Sequence, residues 1–124
     1  MVKAPTFCSA PRAGERILVL RAEWLDRILD GSKNLEIRSL GMREGDVWLG
    51  CRSVIYGKAC LGPAMPIRSE RDFSALRPRH RIAASALPYK TTFGLPIEAV
   101  KRLENGVPYV HARGAIGVVK FRAP

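Results

Sequence analysis

Three ionisable side chains of both signs lie close together just after a glycine. Lys33, Glu36 and Arg38 follow Gly31 in the sequence Gly-Ser-Lys-Asn-Leu-Glu-Ile-Arg. On an extended strand, side chains two positions apart point to the same face, so Glu36 and Arg38 share a face. Lys33 has the opposite parity, so we expect it at the mouth of the strand or turned around by an irregular entry. The segment 31–38 is therefore either a solvated edge strand or a small polar site.

The chemistry of such a site depends first on Lys33. As a cation, its ammonium group can hold a phosphate or neutralise a developing oxyanion. If burial lowers its pKa, it can transfer a proton at neutral pH, although a neighbouring Glu36 opposes that lowering. Glu36 can accept hydrogen bonds from a base edge or act as a general base. Arg38 can orient Glu36 or bind a phosphate, and the alternative is a surface Glu36–Arg38 pair that contributes little stability.

The elements around this segment predict the order strand, helix, turn, strand. The apolar run 17–20 is typical of a buried strand, and residues 22–29 place their apolar side chains on one helical face. Gly31 is well placed to end the helix in a left-handed conformation. Leu35 and Ile37 alternate with charged residues, which indicates a half-buried strand.

The remaining pattern predicts a mainly β domain. We expect strands over 47–51, 54–61 and 115–121, and helices over part of 69–81 and over 96–103. This order favours an α+β, mainly β fold, a small barrel of five to six strands with two or three short helices. The domain is expected to span residues 16–124, after a loose N-terminal arm over residues 1–15.

Some details of these elements can also be predicted. Ser69 is placed to cap the helix in 69–81, and Pro78 to end or bend it. Gly57 suggests a bulge or a close backbone approach within its strand. Trp24 is expected to belong to the core, and Tyr56 is either a core residue or a weaker ligand-binding candidate.

The charge balance favours an anionic partner. The chain has 124 residues, with 21 Lys and Arg against 11 Asp and Glu, giving a formal net charge of +10 and a pI near 10.3. Such a balance is typical of proteins that bind RNA, DNA or an anionic surface. An acidic protein partner is the alternative that remains open.

The cysteines and histidines predict neither a disulfide framework nor a metal site. Cys8, Cys51 and Cys60 are widely spaced, and neither His lies at zinc-ligand spacing from them. We therefore expect no metal, no cofactor and a reducing, cytoplasmic location. No apolar run is long enough to span a membrane, and no signal peptide is recognisable.

Further candidate ligand-binding residues lie in the second half of the chain. The segment 88–94 interleaves aromatic, hydroxyl and basic side chains, which suits a loop that stacks bases and binds phosphates. A basic run before it offers contacts to a nucleic-acid backbone. The loop candidates are Tyr89, Lys90 and Thr91, the backbone candidates are Arg77, Arg79 and Arg81, and weaker candidates are Ser53, Tyr56, His111 and Arg113.

The segment 31–38 resembles the signature Gly-x-Lys-x-x-Glu-x-Arg of ASCH domains, which belong to the PUA-like superfamily of small β-barrels. Gly45-Asp46 before an apolar strand, Gly57-Lys58-Ala59, and the run from Pro108 to Val118 are similar to later landmarks of the family. The resemblance covers roughly residues 17–121. It implies a PUA-like barrel with a cleft beside the first helix, lined by the Lys-Glu-Arg strand.

The resemblance also implies binding of RNA or a modified nucleoside. Some ASCH-like proteins are hydrolases of single-stranded RNA or of the acyl group of acetylated cytidine. In the amidohydrolase branch a Thr matches Glu36, so this chain departs from that pattern. Our first hypothesis is an RNA- or nucleotide-binding module. The alternatives are a metal-independent ribonuclease or nucleoside-amide hydrolase with Lys33 and Glu36 as catalytic residues, and a basic adaptor for an acidic protein.

Overall fold

A computed structural model of the protein describes residues 10–124. The described chain forms seven strands and three short helices. In chain order they are β1 (Arg16–Val19), α1 (Ala22–Leu29), β2 (Leu35–Arg38), β3 (Gly45–Cys51), β4 (Val54–Leu61), β5 (Met65–Ile67), α2 (Glu70–Ala75), α3 (Arg77–His80), β6 (Thr92–Pro108) and β7 (Val118–Lys120).

The strands form one curled sheet in the order β2-β6-β4-β3-β1-β7, with β5 also paired to β6. The pair β1–β3 is parallel and the other pairs are antiparallel. Strand β6 is 17 residues long and joins both halves of the sheet, since its first part pairs with β2 and β5 and its second part with β4. The predicted α+β, mainly β class is confirmed.

The unit β1-α1-β2 forms as the sequence predicts. Helix α1 buries Leu25 and Ile28 against the sheet, where they join the largest apolar cluster. Gly31 follows the helix at φ +87°, and a Cβ built there would meet no atom within 4 Å. The left-handed backbone alone therefore favours glycine at this position.

The predicted helix over 96–103 is wrong, because these residues belong to β6. Ile97, Val100 and Leu103 are spaced by three, as on a helix, and all three turn toward the core. The register of β6 against β4 shifts twice here. In the first shift Ala59 of β4 lies opposite both Ala99 and Val100, and Ala99 has φ +51°. Leu103 lies in the second shift, so extra residues in β6 replace the usual period of two with a period of three.

Smaller differences concern single residues and element ends. Ser69 caps α2 as predicted, with its Oγ accepting from the backbone N–H of Asp72 at 3.0 Å. Pro78 lies in the first turn of a separate helix, α3, which tolerates proline because no N–H is needed there. Tyr56 is 40% exposed, which rules out the core alternative for this residue.

The two ends of the described chain contain little regular secondary structure. The final strand is shorter than predicted and covers Val118–Lys120. Residues 10–15 contain no helix or strand, and the rest of the predicted arm lies outside the described residues. None of the helices between residues 10 and 124 has the length and apolarity that a membrane crossing needs.

Candidate functional site

Lys33 is buried at the mouth of β2, where its ammonium group has three partners. Its Nζ donates to the carbonyl oxygen of His80 at 2.6 Å and lies 3.4 Å from Glu36 Oε1. It also lies 4.5 Å from the ring centroid of Trp24, a cation–π distance. Burial lowers the pKa of Lys33, and the charge of Glu36 opposes that lowering. The side chain is 1% exposed, so its partners are within the protein.

Helix α3 holds the loop that carries Lys33. The backbone N–H of Asn34 donates to the Arg79 carbonyl oxygen at 3.0 Å, and Arg79 Nε donates back to Asn34 Oδ1 at 2.9 Å. Arg81 Nε donates to the carbonyl oxygen of Ser32 at 2.8 Å. Contacts on both sides of Lys33 therefore fix the direction in which β2 leaves the loop.

His80 is a fully buried structural residue within the same arrangement. Its Nδ1 accepts from the backbone N–H of Ile82 at 2.9 Å, so its Nε2 carries the proton and donates to the Phe73 carbonyl oxygen at 2.7 Å. The imidazole stacks on the Phe73 ring with centroids 4.2 Å apart. Burial lowers the pKa of His80, which favours this neutral form. The fixed ring keeps the His80 carbonyl oxygen in place for Lys33.

Glu36 and Arg38 lie side by side on β2, as their spacing predicts. Glu36 Oε2 accepts from Arg38 Nε at 2.9 Å and lies 2.8 Å from Arg38 Nη2. The same Nη2 donates to the carbonyl oxygen of Val19 at 2.8 Å. Within residues 10–124, no hydrogen bond uses Arg38 Nη1. The guanidinium is thus held in one orientation while two of its N–H groups stay available.

Glu36 and Arg38 line a cleft of about 570 Å³ beside α1. Lys33 does not line this cleft; it lies behind Glu36. Apolar side chains at the rim are unusually exposed, with Leu40 at 72%, Ile116 at 89% and Tyr89 at 42%. The other lining residues are Val19, Arg21, Trp24, Ile37, Ser39, Ile82, Pro88 and Gly117.

The overall structure is similar to the crystal structure of a mutant of the ASCH protein ZmASCH from Zymomonas mobilis. The TM-score is 0.71 over 91% of this chain and 92% of that chain, at 11% sequence identity. The chain has an ASCH-type fold. No family model matches the sequence, and no curated protein matches it.

In this ASCH-type fold, the candidates from segment 88–94 do not all reach the cleft. Tyr89 lines it, and the Thr92 hydroxyl donates to the Tyr89 carbonyl oxygen at 2.9 Å. Lys90 and Thr91 are exposed next to Tyr89 and do not line the cleft. The hydrogen bond from Thr92, the first residue of β6, fixes the end of the loop that carries Tyr89.

The arginines predicted to contact a nucleic-acid backbone also hold the ASCH-type barrel together. Arg77 Nε donates to the Ile82 carbonyl oxygen at 3.1 Å, and Arg79 and Arg81 bind the Lys33 loop. Each of these three bonds uses Nε, and Arg77 Nη2 also donates to the Ala84 carbonyl oxygen at 3.4 Å. Their contact with phosphates stays a prediction.

The weaker candidates lie apart from the cleft lining. His111 Nε2 donates to the Ala115 carbonyl oxygen at 2.7 Å, which shapes the loop that carries Ile116. Arg113 is exposed in that loop, and Ser53 lies in the turn between β3 and β4.

Most residues that line the cleft were not predicted from the sequence. Those that add aromatic, charged or exposed apolar surface are Trp24, which the sequence places in the core, and Arg21, Leu40 and Ile116. The rim residues Leu40 and Ile116 are 76 positions apart in sequence, so only the tertiary fold reveals that they border one cleft. An exposed leucine or isoleucine has no distinguishing local pattern.

The thiols and carboxylates form no metal-binding cluster among residues 10–124. Cys51 is buried and Cys60 half-buried, and both are free thiols. Cys8 lies outside the described residues.

Proposed function

We propose that the protein binds RNA or a nucleotide in the cleft built on β2. The observation that carries this proposal is the free edge of Arg38, whose guanidinium is held by Glu36 and Val19 while Nη1 keeps its two N–H groups. An arginine fixed in this way is preorganised to bind a phosphate. The entropy cost of ordering the Arg38 side chain is therefore not added to the free energy of ligand binding.

The rest of the cleft suits the base of a nucleotide. Its volume of about 570 Å³ lies within the range of small-molecule sites. Trp24 and Tyr89 offer aromatic surface for stacking, and Leu40 and Ile116 offer apolar surface that a bound base would cover. Glu36 supplies an acceptor for N–H groups on a base edge. The net charge of +10 would attract the phosphate backbone.

The ASCH-type fold adds support, since ASCH domains are associated with RNA binding. The cleft also favours ligand binding over the adaptor alternative, because an acidic protein surface has no need of a concave site lined by Glu36 and Arg38. For the hydrolase alternative, the buried position of Lys33 is unfavourable: its Nζ is enclosed by His80, Glu36 and Trp24 and has no path to a substrate. We therefore favour binding over turnover.

Salt dependence tests the proposal. We expect the affinity for a ten-nucleotide single-stranded RNA to fall steeply between 50 and 200 mM salt, because phosphate binding releases counterions. The logarithm of the association constant should fall with the logarithm of salt by about 0.7 per phosphate contact. Fluorescence anisotropy of a labelled RNA measures this slope.

The control for this measurement is the variant Arg43→Gln, which removes an exposed charge near Arg16, at the opposite end of β1 from the cleft. It should leave the slope unchanged. A flat salt response of the unmodified protein would contradict the proposal.

A further inference from the structure

A second hollow of about 460 Å³ adjoins the cleft. Arg21 lines both, so the two cavities meet at this side chain. The floor of the hollow includes the buried residues Leu20 and Cys51, and its rim is charged. The lining residues are Leu20, Arg21, Ala22, Glu23, Cys51 and Arg52.

The parallel pairing of β1 and β3 places two arginines together at this hollow. The register pairs Val19 with Gly50, and the backbone N–H of Leu20 donates to the Gly50 carbonyl oxygen at 2.8 Å. Arg21 follows β1 and Arg52 follows β3 in the chain, and both line the hollow. Both arginines therefore lie just beyond the carboxyl ends of adjacent parallel strands, where ligands commonly bind in α/β sheets.

The charged side chains at the rim of the hollow are available to bind a ligand. Among residues 10–124, neither Arg21 nor Arg52 takes part in an ion pair. Both side chains are exposed, as is the carboxylate of Glu23 on the same rim. Arg52 lies in the tight turn between β3 and β4, at φ +51°, and the Tyr109 N–H anchors that turn by donating to the carbonyl oxygen of Ser53. The base of the Arg52 side chain is thus fixed at the rim.

The geometry points to a second phosphate subsite formed by Arg21 and Arg52, next to the nucleotide cleft. This inference rests on the proposed function and specifies its ligand class: a single-stranded oligonucleotide in preference to a free mononucleotide. One nucleotide occupies the cleft, Arg21 contacts the phosphate that leaves it, and Arg52 contacts the phosphate of the neighbouring nucleotide. The negative charge of Glu23 repels phosphates at one side of the rim, so the RNA strand is directed along Arg21 and Arg52.

The test compares two ligand lengths in variants of Arg52. Affinities of the four nucleoside 5′-monophosphates and of ten-nucleotide single-stranded RNAs are measured by calorimetry and anisotropy. Arg52→Gln should weaken RNA binding by about threefold to tenfold at low salt and lower the salt slope by about 0.7, the value for one lost contact. Monophosphate affinity should stay unchanged. Arg52→Glu should weaken RNA binding further, and Arg43→Gln is the matched control at the opposite end of β1.

The outcomes separate this inference from the proposed function. A selective loss of RNA affinity in Arg52→Gln, absent in Arg43→Gln, supports the second subsite. Equal losses in both variants, or no loss in Arg52→Gln and Arg52→Glu, overturn it, while monophosphates that still bind leave the cleft proposal standing. If neither monophosphates nor RNA bind the unmodified protein, both proposals are overturned. Thermal melting of each variant confirms that the fold is kept.

Discussion

Replacing Lys33 by alanine should lower the free energy of unfolding by about 3–5 kcal/mol, the range for breaking a buried charge pair. The Lys33 ammonium contacts the His80 carbonyl oxygen, Glu36 and the Trp24 ring in one buried position. Without it, the His80 carbonyl oxygen loses its charged donor, and a cavity forms beneath Trp24. Such a loss is a large fraction of the stability of a small domain.

Urea denaturation at pH 7 measures this effect, with Lys90→Ala as the matched control. Lys90 is exposed in the loop before β6, so its removal should change the stability by less than about 0.5 kcal/mol. Lys33→Met should lose less stability than Lys33→Ala, because its side chain fills part of the cavity, although the His80 carbonyl oxygen still lacks a donor. A Lys33→Ala protein as stable as Lys90→Ala would show that the buried contacts of Lys33 contribute little.

Arg38→Gln should weaken single-stranded RNA binding by about tenfold to a hundredfold, which corresponds to the loss of one charge-assisted hydrogen-bonding group. Glutamine can still reach Glu36 or Val19, but it lacks the charge and the free guanidinium edge that we assign to the phosphate. The RNA affinity of Arg38→Lys should fall between those of the unmodified protein and Arg38→Gln, because lysine keeps the positive charge but cannot form the two-pronged guanidinium contact.

The decisive comparison for this prediction is with Arg43→Gln. Both substitutions remove one positive charge, so a general electrostatic attraction would weaken RNA binding equally in the two variants. We expect the loss to be confined to Arg38→Gln. Circular dichroism and thermal melting check that each variant keeps its fold. We expect Arg38→Gln to stay folded, because Glu36 retains Lys33 as a partner when Arg38 is replaced.

The local arrangement of the site followed from the sequence because it depends on short-range geometry. The parity of a strand places Glu36 and Arg38 on one face, and a glycine after an amphipathic helix predicts the turn at Gly31. The contact of Lys33 with Glu36 does not follow from strand parity; it forms because Lys33 lies before the start of β2. The burial of Lys33 depends instead on α3, a distant element whose backbone contacts the loop on both sides of this lysine.

Long-range features escaped prediction for identifiable reasons. The two register shifts of β6 make apolar residues recur every three positions in a strand, and this period is the normal sign of a helix. The apolar rim of the cleft joins residues from separate loops, which no local pattern connects. The shared position of Arg21 and Arg52 requires the parallel register of β1 and β3. Each of these features is a product of strand pairing.

The two tryptophans provide the most direct test of the central claim that the cleft on β2 binds RNA. Trp24 lines the cleft, whereas Trp48 is buried in the separate cluster around Ile17 and Tyr109. In a ¹⁵N-labelled protein, their indole N–H signals can be assigned with the variant Trp24→Phe and followed during titration with a ten-nucleotide single-stranded RNA. We predict that the Trp24 signal shifts to saturation while the Trp48 signal stays in place. RNA that binds the protein without moving the Trp24 signal would contradict this account.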